Sequence, residues 1–475
     1  MTRQRNIVTG TIWTPDLTHF PGPKYLALSR ALREAVRSGE LAEGSQLPTV
    51  RDLAWELGVT PGTVSRAYAL ATQEGLLSAT VGRGTFVAAR APRLGPTQPL
   101  FVEREPQYLK GRADLRAPQL PDVGQGAAIR AALLAAAEDV GPEWIDYPSQ
   151  RAEAPLRAAI CDWVSDRVLG TLSPDDIALT AGGQNAINLI LLCCLRGDRP
   201  VVLCEELAYP GFRHAARLAR ADVVGVETDA EGLIPEALEA ACRRHGAQVL
   251  CLTTEAQNPT TARMGLERRQ RIAAIARHFD LQVIEDDCYS LTESSLPSLR
   301  ALAPERVWHV GSLSKTVSAA LRFGYVVCPA GMGETGRLTA QHSFFALPKP
   351  VSDIALHLFT SGAAADLRRK AAEDLDLRLK LALHHLGRFD LSWQPGLRFV
   401  FLRMPQGWRA STFTREAEAE GVLLRSADEY TLIHGRAPQA VRLALAGNVP
   451  LVRFEAGLQS LARLLDRPPY DPPAV

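Results

Sequence analysis

The chain has 475 residues, a length that suits two to four domains, and 46% of them are hydrophobic, ample for sizeable cores. Its formal net charge of +1 excludes a polyanion binder or an acidic solvating protein as a reading of the whole. The charge is uneven: the first 90 residues carry ten Lys/Arg against seven Asp/Glu, the sign that a DNA-binding end needs.

No run of 18 apolar residues is present, so no membrane span is expected, and MTRQRNIVTG lacks the apolar core of a secretory signal. The eight cysteines make no C-x-x-C pair and mostly lie in apolar runs. Buried free thiols in a reducing, cytoplasmic protein fit that usage, and no metal site is expected. Only six residues are lysine, so a lysine is informative: its amine can lose a proton and a guanidinium cannot.

In chain order, residues 24–38 place Tyr25, Leu28, Leu32, Ala35 and Val36 on one helical face, and Gly39 ends the pattern. Residues 49–57 predict a second helix, with Thr49 as N-cap, Asp52 three residues on and Gly58 as the stop. A third helix starts at Thr60, has Pro61 at its first position and runs to Gly75. A short apolar run, the turn Gly82-Arg83-Gly84 and the strand Thr85-Phe86-Val87 complete a hairpin. Two short helices with a tight turn suit insertion into a major groove, with the hairpin as a wing; a generic three-helix module is the alternative.

Residues 88–112 are rich in Pro and Arg, lack a sustained period and read as a linker. From 113 to 475 strands and helices alternate: apolar runs at 200–204, 248–253 and 281–285, with a helix at 267–279. That predicts a largely parallel sheet with helices on both faces over about 150–340, then a smaller α+β part over about 341–475.

Chemistry-bearing residues gather at the ends of these runs. Ser312-Leu313-Ser314-Lys315 offers an amine flanked by hydroxyls, with Arg322 seven residues on, a set suited to a phosphate dianion. A solvated surface lysine is the alternative. Asp286 ends one run and Tyr289 follows it; the Asp286-Asp287 pair could equally cap a strand end. Ala181-Gly182-Gly183-Gln184 precedes a helix over 185–195, whose first N–H groups and dipole favour phosphate. Tyr209 is a loop aromatic that could stack on a ring, and Asn258-Pro259 by itself is a turn.

LPTVRDLAWELGVTPGTVSRAYALATQEGLLSATVGRGTFV resembles a GntR-type winged helix along its whole length. The resemblance implies that residues 1–87 bind double-stranded DNA. Arg51 would contact phosphate or base, the stretch from Thr60 to Arg66 would read bases, and the wing around Arg83 would approach the minor groove. Pro61 and Gly62 stand where the family often has polar or basic residues, which leaves sequence preference to Thr63, Ser65, Arg66 and Arg51. TAGGQNAINL, CEELAYPGF, TTEAQNPTTARM, IEDDCYS and GSLSKTVSAALRFGYVV resemble fold-type I, class I/II aminotransferases in order and spacing. Together the chain is similar to the MocR-type subfamily of GntR regulators, a winged helix-turn-helix joined to an aminotransferase-like domain that binds pyridoxal 5'-phosphate.

The resemblance implies that Lys315 is the Schiff-base lysine, that Asp286 faces the pyridine nitrogen, and that Tyr289 and Asn258 face the ring oxygen. Tyr209 would stack on the ring, Gly183, Gln184, Ser312, Ser314 and Arg322 would hold phosphate, and Arg442 would grip an α-carboxylate. It also implies a homodimer. The chain departs from the family at Thr261, which stands for a usual glycine, at Tyr147-Pro148-Ser149-Gln150, which lacks glycines common there, and at Arg398, which replaces a frequent histidine. Arg398 could favour an acidic group or pair with a structural Asp. The implied function is a regulator that senses an amino acid or amine through aldimine chemistry at Lys315. An active aminotransferase with a vestigial DNA-binding module is the alternative.

Overall fold

The computed structural model describes residues 13–18, 20, 22–80, 84–88, 109–289, 293–432, 435 and 437–467. The chain forms two compact units, residues 1–98 and 99–475. Most of the expected linker, and Arg83 of the expected wing, lie outside the described residues. No helix among the described residues is long and apolar enough to cross a membrane.

In the first unit, α1 (Lys24–Ser38), α2 (Val50–Glu56) and α3 (Pro61–Gln73) enclose a core of Leu28, Leu32, Leu53, Val64, Ala67 and Ala71. Thr49 caps α2 by accepting the Asp52 N–H at 3.2 Å and donating its hydroxyl to the Asp52 carboxylate at 2.6 Å. Gly39 closes α1 in the left-handed conformation, as its position after the helix demands. Strands β1 (Leu77–Thr80) and β2 (Gly84–Val87) form the antiparallel wing. The segment before α2 also pairs with β2, through Leu47 N–H to the Thr85 carbonyl and Val87 N–H to the Ser45 carbonyl. That third run was hidden from pattern reading because its partner lies some 40 residues away.

The second unit is built on a seven-stranded sheet. Its strands are β3 (Ile177–Thr180), β4 (Val201–Glu205), β5 (Asp222–Val226), β6 (Val249–Leu252), β7 (Gln282–Asp286), β8 (Val307–Ser312) and β9 (Gly324–Val327). Their order is β3-β9-β8-β7-β6-β4-β5, and only β9 runs against the rest. Burial on both faces explains why these strands read as continuous apolar runs. Helices α4 (Gly183–Cys194), α5 (Pro210–Leu218), α6 (Pro235–His245) and α7 (Leu266–His278) flank it. The smaller part packs α8 (Ala363–Leu386) and α9 (Leu451–Asp466) on a four-stranded antiparallel sheet. That sheet consists of β10 (Leu391–Ser392), β11 (Phe399–Arg403), β12 (Arg425–Ser426) and β13 (Ala440–Ala444), in the order β10-β11-β13-β12.

At the head of α4 two backbones touch. A Cβ on Gly324 would lie 2.8 Å from the Gly182 backbone and 2.9 Å from the Thr180 hydroxyl, closer than packed atoms allow. Gly324→Ala is therefore expected to destabilise the second unit by about 1–3 kcal/mol, the usual cost of overpacking. A thermal unfolding midpoint unchanged from the parent would contradict this.

Candidate functional site

Ligands of open parallel sheets collect beyond the carboxyl ends of the strands. Here Asp286 ends β7, Ser312 ends β8, Lys315 closes the single turn that follows, and Gly182-Gly183 connects β3 to α4.

Ser312, Ser314 and Arg322 form one hydrogen-bonded cluster. The Ser312 hydroxyl donates to the Phe323 carbonyl and meets the Ser314 hydroxyl, each at 3.0 Å, and the Ser314 N–H donates to Ser312 Oγ at 3.0 Å. Arg322 reaches Ser314 Oγ at 3.4 Å and the Ala181 carbonyl at 3.1 Å. No side chain caps α4 at Gly182, so the first N–H groups of that helix remain for an anion. The Gln184 side-chain amide donates to the Gly211 carbonyl at 3.0 Å and ties α4 to the loop bearing Tyr209, while its backbone N–H stays in the first turn of the helix. Tyr209 is half-buried and meets Phe212 edge-on at 6.0 Å.

Asp286 is buried, accepts the Cys288 N–H at 2.9 Å and makes no ion pair among the described residues. Burial pushes its carboxyl up, so a cation placed against it would be welcome. Tyr289 stands beside Lys315, whose Nζ lies 5.7 Å from the centre of its ring. Burial lowers the Lys315 amine to about 8, and the like charges of Arg398 and Arg442 add to the effect. Asn258 is buried, and its Oδ1 accepts from Arg442 Nη1 at 2.9 Å, which brings two expected residues into direct contact. Just beyond, Thr261 adopts φ of 69°, the left-handed backbone for which the family's glycine is suited.

Arg442, on β13, also donates to the Arg116 carbonyl. Its guanidinium lies 5.2 Å from the Phe399 ring centre and 5.1 Å from that of Tyr430. Phe399 in turn meets Tyr289 edge-on at 5.6 Å. Phe399, Tyr430 and the Arg116 carbonyl escaped sequence reading, since no local motif marks them. Another missed group lies beneath Asp286: Arg167 pairs with Asp287 at 2.8 Å and His309 sits between Glu285 and Asp287. A buried charge cluster of this kind holds the end of β7 in place. Of the two readings left open for Arg398, a structural Asp partner is absent among the described residues.

The set fits pyridoxal phosphate: a buried carboxylate without a cation, a hydroxyl and guanidinium cluster at an uncapped helix start, and an amine biased toward its neutral form.

In the first unit, Arg51, Thr60, Ser65 and Arg66 are exposed along α2 and α3. Thr60 has a structural duty, since its hydroxyl caps α3 and meets that of the half-buried Thr63 at 3.0 Å. The Arg66 guanidinium carbon lies over the Tyr25 ring, 4.0 Å from its centre, which links α3 to α1 and limits its freedom.

The pattern of the family described as "Aminotransferase class I and II" matches residues 114–450, and that of "Bacterial regulatory proteins, gntR family" matches residues 24–87. The chain is 29% identical over 465 residues to the HTH-type transcriptional regulator YdeF of Bacillus subtilis, spanning 96% of this chain and 97% of that one. It is 31% identical over 334 residues to the HTH-type transcriptional regulator TauR of Rhodobacter capsulatus, spanning 64% of this chain and 67% of the relative. Among solved structures, a kynurenine aminotransferase from Pyrococcus horikoshii shares the fold with a TM-score of 0.67 at 20% identity, over 78% of this chain and 97% of its own.

An amine attacks a carbonyl only in its neutral form, and a lowered pKa makes that form available nearer neutrality. Uptake of pyridoxal phosphate by cofactor-free protein should therefore rise with pH and level off above about 8. Borohydride should then fix the cofactor to the parent and leave Lys315→Ala unlabelled. Uptake that keeps rising toward the roughly 10.4 of an ordinary lysine, or labelling of Lys315→Ala, would contradict the assignment.

Proposed function

The chain belongs to the aminotransferase class I and II family and, with its gntR-type domain, is a MocR-type helix-turn-helix transcriptional regulator whose cofactor is pyridoxal 5'-phosphate; we propose that it senses an amino acid or related amine at Lys315 and answers with a change in its affinity for DNA. The observation that carries this reading is the presence, on one chain, of an exposed helix-turn-helix surface bearing Arg51 and Arg66 and a lysine amine lowered to about 8 by burial and by the charges of Arg398 and Arg442.

When bound, pyridoxal phosphate supplies an aldehyde carbon that holds the Lys315 amine or, in exchange, the amine of a ligand. The residues do the rest. With the cofactor bound, Asp286 would keep a proton on the ring nitrogen, and Tyr289 and Asn258 would donate to the ring oxygen. Ser312, Ser314, Arg322 and the start of α4 hold the phosphate. Arg442, already oriented by Asn258, offers its remaining donor capacity to a carboxylate. Arg51, Ser65 and Arg66 contact the operator, with Thr60 and Thr63 shaping the start of α3 between them.

A homodimer is part of the proposal. Leu134, Val140, Ile145, Tyr147 and Phe345 are exposed apolar residues, and Tyr147 stacks on Phe345 at 5.3 Å. An exposed stacked aromatic pair such as Tyr147 and Phe345 suits an association surface. A ligand that binds one arrangement of the dimer better than another shifts it toward that arrangement. The same catalytic set would serve a working transaminase, which is the competing reading.

Two outcomes test the proposal. Arg51→Ala and Arg66→Ala should each weaken binding to DNA from the chain's own promoter. Loss of a phosphate contact lowers the salt slope by about one unit, and loss of a base contact costs roughly 1–3 kcal/mol at one position. A double variant that binds as tightly as the parent at several salt concentrations would place the contacts elsewhere. For the coupling, titration of amino acids by the cofactor's absorption band should give an affinity that changes when operator DNA is present, by about 5–150-fold for coupling of ordinary size. A ligand affinity indifferent to DNA, with rapid steady transamination of a keto acid, would favour the enzyme.

A further inference from the structure

The functions assigned so far leave Arg398 unused. It stands immediately before β11 and is 0% exposed. None of its three guanidinium nitrogens has a hydrogen-bond partner among the described residues. Arg269, equally buried, shows what a structural arginine looks like in this protein. Its Nε donates to the Met264 carbonyl at 3.0 Å, its Nη1 to the Pro297 carbonyl at 3.1 Å and its Nη2 to the Glu255 carboxylate at 2.7 Å. A dry guanidinium with nothing against it is strongly unfavourable, so an anion belongs there when the protein works.

The place of Arg398 indicates which anion. Among the neighbouring charges that act on Lys315, Arg398 has the largest effect, ahead of Arg442. Tyr289 also acts on Arg398; its ring meets Phe399, the next residue in the chain after Arg398, and lies beside Lys315. The guanidinium therefore belongs to the ligand side of the pocket. The cofactor's phosphate has its own donors in Ser312, Ser314 and Arg322, and Arg442 is held at Asn258. A second, separate cation remains for the ligand.

We propose that Arg398 is a specificity residue for a second acidic group, so that this site takes amino acids with an anionic side chain, the α-carboxylate on Arg442 and the side-chain anion on Arg398. This rests on the reading that the site binds an amino acid at Lys315. Burial pushes the Arg398 guanidinium down to about 9, which leaves it a cation at neutral pH. A planar guanidinium matches a carboxylate with two parallel hydrogen bonds, a match that an amide cannot reproduce.

The test uses the full-length protein loaded with pyridoxal phosphate. Aspartate, glutamate and 2-aminoadipate are titrated against asparagine, glutamine and norleucine, followed by the cofactor's absorption band and by calorimetry. At least one acid should bind roughly 10–100-fold more tightly than its neutral counterpart, the ratio expected of a charge-assisted pair. In Arg398→Met that ratio should fall to about one, and Arg398→His, which restores the residue common in the family, should give a reduced ratio that grows as the pH is lowered. Equal affinity for acids and neutral counterparts in the parent, or a ratio that survives in Arg398→Met, overturns the proposal. So does loss of bound cofactor in both variants, which would assign Arg398 to the cofactor. If no amino acid alters the band or releases heat, the amino acid reading of the site itself fails; binding without acid preference overturns only the role of Arg398.

Discussion

An amine brought out of water beside two guanidinium groups is an unfavourable arrangement, and the rest of this molecule is organised around keeping it. Lys315 has Arg398 and Arg442 for neighbours, and its amine is lowered to about 8 by burial and by their charge. Left in water the same amine, with a pKa of roughly 10.4, would hold far less of its neutral, nucleophilic form near neutrality. The single turn Leu313–Lys315 at the end of β8 fixes where the amine sits, and Ser312 locks that turn by accepting the Ser314 N–H. A buried β8, paired to β7 on one side and β9 on the other, makes the turn rigid.

Of these two cations, Arg442 is held by neutral groups and Arg398 has no hydrogen-bond partner among the described residues. Arg442 is anchored to the Asn258 amide and the Arg116 carbonyl, so it keeps its full charge. Asp286 makes no ion pair among the described residues, while its neighbour Asp287 takes Arg167. Adjacent residues on a strand face opposite ways, which lets one carboxylate stabilise the sheet end while the other stays open for a cofactor. The division explains why two aspartates stand side by side at the end of β7.

Much of this was legible in the sequence. The helices of the DNA-binding unit followed from apolar spacing, the Thr49 and Thr60 caps and the glycine stops, all of them local signals. The parallel sheet followed from apolar runs that are buried on both faces. Lys315, Asp286 and Tyr289 stood out because they close those runs. What escaped depends on contacts made far along the chain. The Gln184 side chain bonds to Gly211, 27 residues away. The Arg116 carbonyl reaches Arg442 across 326 residues, and Tyr430 comes under the same guanidinium with no motif to announce it. Arg398 was visible as a departure from the family, but whether it served a ligand or a structural carboxylate could be read only from its surroundings.

The central claim is that the chemistry at Lys315 governs the grip on DNA. The most direct measurement is the affinity of the full-length protein for DNA from its own promoter, with and without candidate amino acids, in the parent and in Lys315→Ala. The account predicts that an amino acid changes the parent's affinity several-fold or more and leaves that of Lys315→Ala unchanged, with both proteins folded and dimeric. A parent whose affinity for DNA ignores every amino acid that binds at its cofactor, or a Lys315→Ala that responds as the parent does, would contradict it.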